Sequence, residues 1–394
     1  MHPVRLSIEG VFEDGYLYGG VLYLITQDQE LWLFDWDAFV EDFISRIPHL
    51  RWILKWSFLR NHFLSTEQFK DIWDTCDAWQ SLWPALQEAS EKQFAFAFDE
   101  LELFAVCRMA LTTELINDIT IYNFVLYFAD ECGTYESLLV QENRRLRLPL
   151  KPEKLHDVPT FGLSAKYRLL NTSCAEDGLF SLSTFSENRL EQPHPWRYHF
   201  EKFSLGSVWI GSDFISYGSG EEFDYLMNVR STYRKQVAEQ ADEEREAIEH
   251  IGERVLNIRE IVRGRHQPKG VKSVFTGMYR VYVCDMEGQL LVYRRARRKD
   301  KFLQKGLEFE RVVHDQIGTI YGGVTVHSMA ILDTGEGTFV EDETGLYLLE
   351  GGSNALVRSF PAAKWYDRLV LSIKDDHLSM ACLWPTPHSS NGLE

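Results

Sequence analysis

Cysteine is scarce and scattered in this 394-residue chain. The six cysteines are at least 25 residues apart, and they form no C-x-x-C pair and no Cys/His cluster. This spacing argues against a disulfide framework or a zinc module, and it favours buried thiols in a reducing compartment. The start of the chain carries no apolar signal segment, and no run of 18 apolar residues occurs. We therefore expect a cytoplasmic protein without a membrane partner.

The common catalytic motifs are also missing. The chain contains no G-x-x-x-x-G-K-[ST], H-E-x-x-H or G-x-S-x-G sequence, and no EF-hand loop. From the sequence we assign no catalytic residue, no cofactor and no metal ligand.

Basic residues are few in the first third of the chain. Residues 1–142 contain 8 Lys and Arg against 24 Asp and Glu, although the whole chain has 41 against 59 and a net charge of −18. This excess of negative charge repels phosphate, so it disfavours a nucleic-acid partner for this part of the protein.

What the chain does have is a recurring β-hairpin pattern, together with 13% aromatic residues. In the segment 16–37, strand formers from Val21 to Thr26 are followed by a polar turn and a second apolar run. Residues 320–324 echo residues 17–21, and residues 279–293 are the clearest further copy. The alternating N-terminal segment 4–8 is a candidate to pair with the C-terminal end of the chain.

Short strands with tight turns fill most of the chain outside two segments. Repeats of about 40–45 residues predict a mainly β, β-propeller-like body over residues 1–394, with about six or seven blades. An alternative is a pair of β-sandwich or α+β domains.

Residues 38–92 interrupt the strands and predict a helical insertion. Apolar residues recur at helical spacing, a capping box at Ser65 marks a helix start, and Pro84 marks a break. Five tryptophans make this segment the first candidate for a partner-binding surface: Trp52, Trp56, Trp73, Trp79 and Trp83.

Residues 229–264 form the second predicted helical insertion. An apolar stripe at spacings of three and four predicts a helix that packs on the body or on another subunit. The stripe, also a candidate partner-binding surface, consists of Ile248, Ile251, Val255, Ile258 and Val262.

A basic run at residues 294–301 is the strongest local charge signal. We predict an exposed loop, which is either a solvated loop that improves solubility or a contact surface for phosphate or an acidic protein. The candidate contact residues are Arg294, Arg295, Arg297, Arg298, Lys299 and Lys301. A shorter basic run lies at residues 144–147.

These patterns favour a non-catalytic protein-interaction subunit or scaffold of a multi-protein assembly, with other protein subunits as partners. One alternative is a hydrolase whose active site lies in the mouth of the propeller. Another is a nucleic-acid-associated subunit that uses the basic loop. Because one fold hosts many activities, the fold prediction does not decide among them.

Overall fold

The structure of this chain is a computed structural model. The residues it describes are 2–66, 68–69, 78–111, 115–142, 146–166, 169–184, 196–200, 202–210, 213–218, 223–226, 255–257, 262–263, 266–277, 280–295, 307–313, 319–327, 329–342, 345–354, 356–360 and 365–385.

Strands dominate the described residues. In chain order they are β1 (His2–Glu9), β2 (Phe12–Tyr18), β3 (Val21–Thr26), β4 (Glu30–Asp35), β5 (Gln93–Phe96), β6 (Ala105–Ala110), β7 (Ile116–Tyr122), β8 (Val125–Asp130), β9 (Gly133–Glu142), β10 (Leu146–Pro149), β11 (Glu153–His156), β12 (Gly162–Lys166), β13 (Leu169–Ser173), β14 (Leu179–Ser183), β15 (Trp196–Phe200), β16 (Gly206–Ile210), β17 (Asp213–Tyr217), β18 (Phe223–Leu226), β19 (Val255–Asn257), β20 (Val262–Arg263), β21 (Ser273–Thr276), β22 (Arg280–Cys284), β23 (Leu290–Arg295), β24 (Leu307–Val313), β25 (Ile320–Val326), β26 (Met329–Thr334), β27 (Gly337–Glu341), β28 (Leu346–Gly351), β29 (Leu356–Ser359), β30 (Leu369–Ile373) and β31 (His377–Trp384).

The helices of the described residues lie near the start of the chain. They are α1 (Trp36–Arg46), α2 (Arg51–Phe58), α3 (Ala78–Glu91) and α4 (Phe98–Glu102), with short 3-10 helices at Pro48–Leu50 and Phe63–Ser65.

Residue contacts divide the chain into two compact units. The first consists of Met1–Thr113, Leu139–Leu148 and Ser353–Glu394, and the second of Glu114–Leu138 and Pro149–Gly352.

In the first unit, β1 lies between β31 and β5. It pairs antiparallel with β31, from His2 opposite Trp384 to Glu9 opposite His377, and parallel with β5. Val4, Leu6 and Ile8 are fully buried, as expected for a strand whose alternate residues face a core. The predicted pairing of the N-terminal strand with the C-terminal end is confirmed.

The predicted opening hairpin belongs to the second sheet of this unit, in the order β2-β3-β4-β6. Strands β3 and β4 pair from Val21 opposite Asp35 to Ile25 opposite Leu31, which confirms the hairpin. Before β3, Gly19 and Gly20 have φ of +60° and +83°. A Cβ atom on Gly20 would lie 2.7 Å from Oδ2 of Asp37, so this turn requires glycine.

After β4 the described chain is largely helical as far as β5. The Asp35 side chain caps α1 by accepting a hydrogen bond from the Ala38 amide at 3.1 Å. Thr66, not Ser65, accepts the bond expected of an N-cap, from the Phe69 amide at 3.1 Å. Pro84 lies inside α3, so the predicted break there is wrong. The assignment of residues 38–92 to a separate insertion stays a prediction.

The second unit repeats one arrangement, in which strands that are consecutive in the chain pair antiparallel. Its sheets include β12-β13-β14-β15, β16-β17-β18-β19 and β25-β26-β27-β28. Another has the order β20-β24-β23-β22-β21, and β7, β8 and β9 form a further sheet that β11 joins beside β9. With the two sheets of the first unit, the described residues form seven sheets, within the predicted number of repeats.

The predicted helical stripe of residues 248–262 is wrong where the structure describes it. Val255 lies in β19, which pairs with β18, and Val262 lies in β20, which pairs with β24. Val262 is only 5% exposed and packs in a core cluster with Val283, so it is not on a surface. Valine is β-branched and suits a strand, which apolar spacing alone does not register. Ile248, Ile251 and Ile258 lie outside the described residues.

Within the described residues, none of the helices is both long enough and apolar enough to cross a membrane.

Candidate functional site

Two indole hydrogen bonds hold helix α2 against the rest of the first unit. Nε1 of Trp36 donates to the Phe58 carbonyl at 2.8 Å, and Nε1 of buried Trp384 donates to Oγ of Ser57 at 2.8 Å. Ser57 itself donates to the Ile53 carbonyl one turn earlier. Because these donors and acceptors are buried, moving α2 would leave them without partners at a cost of about 1–3 kcal/mol each.

The loop after α2 is held by Asn61. Its side-chain amide donates to the carbonyls of Lys55, Trp56 and Leu59 at 3.2, 3.3 and 2.8 Å, and its Oδ1 accepts from the Phe63 amide at 3.1 Å. Asn61 therefore satisfies the Trp56 carbonyl in the last turn of α2, whereas the Lys55 carbonyl also accepts from the Leu59 amide. The conformation of the loop is thereby fixed.

On its outer side α2 carries aromatic rings. Trp52 is 56% exposed, and its ring centroid lies 5.8 Å from that of Trp56, which in turn lies 5.0 Å from Phe63 and 6.1 Å from Trp384. The Arg51 guanidinium lies 5.7 Å from the Trp52 ring centroid, within range of a cation–π contact. We call Trp52, Trp56 and Phe63 the α2 aromatic face.

A pocket lies next to the α2 aromatic face. It is shallow, with enclosed room for about one water molecule, and its lining includes Trp56, His62, Tyr366, Asp367, Arg368 and Cys382. We call it the Arg368 pocket. Of its lining residues, the sequence analysis identified Trp56 but not Arg368.

A tight turn before β30 places Arg368 in this pocket. The Leu369 amide donates to the Tyr366 carbonyl at 3.0 Å, and Tyr366 has a φ of +67°, which is uncommon for a bulky residue. The turn is anchored by the Tyr366 phenol oxygen, which accepts a hydrogen bond from the Gly20 amide at 3.0 Å. Burial raises the pKa of the Tyr366 phenol well above its usual value, so the ring stays neutral.

Arg368 is only 8% exposed. Its Nε donates to Oγ of Ser65 and its Nη1 to the Leu383 carbonyl, both at 3.2 Å. Burial lowers the pKa of the guanidinium, against smaller opposing effects of Cys382 and Asp367. Burial also raises the pKa of the Cys382 thiol to about 12, so that thiol is neutral near pH 7.

The remaining predicted tryptophans are not shown to join this face. Trp83, on α3, makes an edge contact with the His2 ring at a centroid distance of 4.5 Å. Trp73, and the side chain of Trp79, lie outside the described residues. The sequence therefore identified two rings that the structure brings together, Trp52 and Trp56.

The first two residues of the predicted basic loop lie in a strand. Arg294 and Arg295 are the last residues of β23, and Arg294 lies opposite Glu308 and Arg280 in the sheet. Glu308 offsets the charge of Arg294 across the strand pair, and Arg295 continues the ladder opposite Leu307. Their prediction as loop residues is wrong, while Arg297, Arg298, Lys299 and Lys301 lie outside the described residues.

Other arginines of that sheet also form ion pairs with acidic residues. Arg280 forms a bidentate ion pair with Glu310, in which Nε and Nη2 donate to the two carboxylate oxygens at 3.0 and 2.9 Å. These hydrogen bonds raise the pKa of the guanidinium and lower the pKa of the carboxyl group. Arg311 pairs with Glu310 and with Glu341. This part of the sheet is internally neutralised, which weakens it as a phosphate-binding surface.

The described residues contain no cluster of three or more His, Cys, Asp or Glu side chains arranged to hold a metal ion. Two buried carboxylates and one half-buried carboxylate have structural partners. Asp14 pairs with Arg358, half-buried Asp37 pairs with Arg60, and Asp130 accepts hydrogen bonds from the Cys132 and Gly133 amides.

Comparison with known proteins found similarity in structure alone. No family model matches the chain, and no curated protein matches it by sequence. The β-propeller domain of Myceliophteria thermophila Cps50 (Swd1) has a TM-score of 0.55 and 8% identity, and the match covers 97% of this chain and 100% of that one. This chain has a β-propeller fold. The alternative of two β-sandwich or α+β domains is therefore wrong.

Two further solved structures match less well. Chaetomium thermophilum Sqt1, bound to the N-terminus of ribosomal protein L10, has a TM-score of 0.46 and 13% identity over 68% of this chain and 72% of that one. A chain of the mitotic checkpoint complex has a TM-score of 0.46 and 10% identity over 73% of this chain and 80% of that one.

Proposed function

We propose that this β-propeller is a non-catalytic protein-interaction subunit, or scaffold, of a multi-protein assembly in the cytoplasm. The observation that carries the proposal is the α2 aromatic face, where a half-exposed Trp52 stands beside Trp56 on a helix fixed by buried hydrogen bonds. Tryptophan and arginine are enriched among the residues that dominate binding energy at protein interfaces.

The size of the exposed indole supports this role. Burying the exposed part of Trp52 against a partner would contribute roughly 3 kcal/mol, taking about 25 cal/mol per Å² of apolar surface. Little side-chain entropy would be lost, because Trp52 already packs on Trp56 and Arg51.

The other two functions have less support. The hydrolase alternative rests on the fold alone, since the carboxylates described above already have structural partners. The nucleic-acid alternative depends on residues 297–301, and Arg294 beside them lies opposite Glu308.

The test is quantitative affinity purification of the tagged full chain as wild type, as Trp52→Ala and as Tyr321→Ala. Tyr321 is a matched control, because it is an exposed aromatic residue at 51% on β25. We expect specific partners to be lost from Trp52→Ala and retained by Tyr321→Ala. The same partners, in the same amounts, on all three proteins would rule out the α2 aromatic face as the contact surface.

A further inference from the structure

Arg368 is a buried arginine without a counterion in direct contact, although the Asp367 carboxylate in the same pocket lining stabilises its charge from a longer distance. In the part of the chain that the structure describes, no carboxylate oxygen lies within 4.0 Å of the Arg368 guanidinium, whose partners are the neutral Ser65 hydroxyl and the Leu383 carbonyl. Its Nη2 group makes no hydrogen bond to those residues, yet it is not sealed from solvent. A buried charge is costly when it is not paired, and an incoming anion would remove that cost.

The segment around α2 has the same sign of charge. Residues 43–66 contain Arg46, Arg51, Lys55 and Arg60 and no Asp or Glu, although residues 1–142 as a whole are strongly acidic. Arg46 and Arg60 have carboxylate partners at 2.8 Å or closer. No ion pair is found for Arg51 or Lys55 among the described residues; the two lie one turn apart on α2, as Trp52 and Trp56 do.

We propose that the Arg368 pocket binds a carboxylate side chain of an acidic segment in a partner protein, while the α2 aromatic face holds the apolar part of the same segment. The guanidinium fork accommodates the two oxygens of a carboxylate. Arg51 and Lys55 then contribute at the rim, where charge mainly accelerates association. This inference rests on the proposed function and specifies the chemistry of its partner.

The test uses a fluorescein-labelled deca-glutamate peptide and the full-length protein, with binding measured by fluorescence anisotropy. Deca-glutamine of equal length is the control peptide. We expect wild type to bind deca-glutamate and not deca-glutamine. Arg368→Gln should weaken binding about 10- to 100-fold, as expected for the loss of a hydrogen bond to a charged group.

Lys92→Gln is the matched variant, because it removes one positive charge from an exposed pair with Glu88 at the end of α3. It should bind deca-glutamate as wild type does. If Arg368→Gln does not fold, the double variant Arg51→Gln/Lys55→Gln, which changes only the surface of α2, should still bind several-fold more weakly and lose most of the salt dependence.

Three results would overturn the inference. The first is failure of wild type to bind deca-glutamate, and the second is equal binding by wild type and by folded Arg368→Gln or the double variant. The third is displacement of the peptide by inorganic phosphate at equal carboxylate and phosphate concentrations, which would indicate a phosphate site. If the peptide does not bind but Trp52-dependent partners persist, only the carboxylate site is wrong and the proposed function stands.

Discussion

The ion pair between Asp14 and Arg358 allows a quantitative test of how the first unit is held together. Asp14, on β2, is 7% exposed at its side chain, and Arg358, on β29, is 16% exposed. Nε and Nη2 of the arginine donate to the two carboxylate oxygens at 2.6 and 2.5 Å. The pair thus joins segments that are 344 positions apart in the sequence.

Arg358→Met removes the cation and keeps most of the side-chain volume. The Asp14 carboxylate then stays buried without this partner, and breaking a buried pair in this way costs about 3–5 kcal/mol of the free energy of unfolding. Asp14→Leu should cost a similar amount, because it removes the carboxylate that the Arg358 guanidinium pairs with.

The double variant Asp14→Leu/Arg358→Met should be more stable than the sum of the single losses predicts. Replacing both partners by apolar groups removes the desolvation cost together with the attraction, so the coupling should reach about 1–3 kcal/mol. The measurement is urea unfolding followed by near-UV circular dichroism, with the shift in midpoint converted through the slope. Strictly additive losses, or single losses under about 1 kcal/mol, would refute the assignment of this pair as a buried, coupled contact.

Two further predictions concern backbone strain and pH. Gly20→Ala should lower the free energy of unfolding by about 1–3 kcal/mol, because φ is +83° and the new Cβ would lie 2.7 Å from Oδ2 of Asp37. Gly19→Ala is the control and should cost clearly less, since φ is +60° and the space around its Cβ is open. Equal losses of stability in thermal unfolding would contradict this. Burial lowers the pKa of His156 from 6.5 to about 4, so the unfolded state binds more protons between these values. The stability that neutral His156 contributes should be complete above pH 6.5 and fall by about 3 kcal/mol as pH drops to 4. The free energy of unfolding of His156→Gln should lack this pH dependence. If it depends on pH as wild type does, His156 does not titrate in this way.

The sequence predicted strands best where the apolar pattern and the turn residues indicated the same structure. The hairpin of β3 and β4 is found within one residue of its predicted position, because apolar runs, a polar turn and the preceding glycines all indicate the same structure. The stripe through Val255 and Val262 failed because spacing was its main support. Side chains that favour strands occupied the positions of a helical pattern, and pairing with β18 and β24 decided the outcome.

Only the tryptophans of the candidate site could be predicted from the sequence. Trp52 and Trp56 were identifiable because an i, i+4 pair of aromatic rings shares one face of a helix wherever that helix lies. Arg368 carried no comparable signal, since it meets the α2 region only through folding, 303 positions from its hydrogen-bond partner Ser65. What distinguishes it is the combination of burial, neutral hydrogen-bond partners and a place in the lining of a pocket. Each is a property of the folded chain, so no pattern in the sequence could have indicated Arg368.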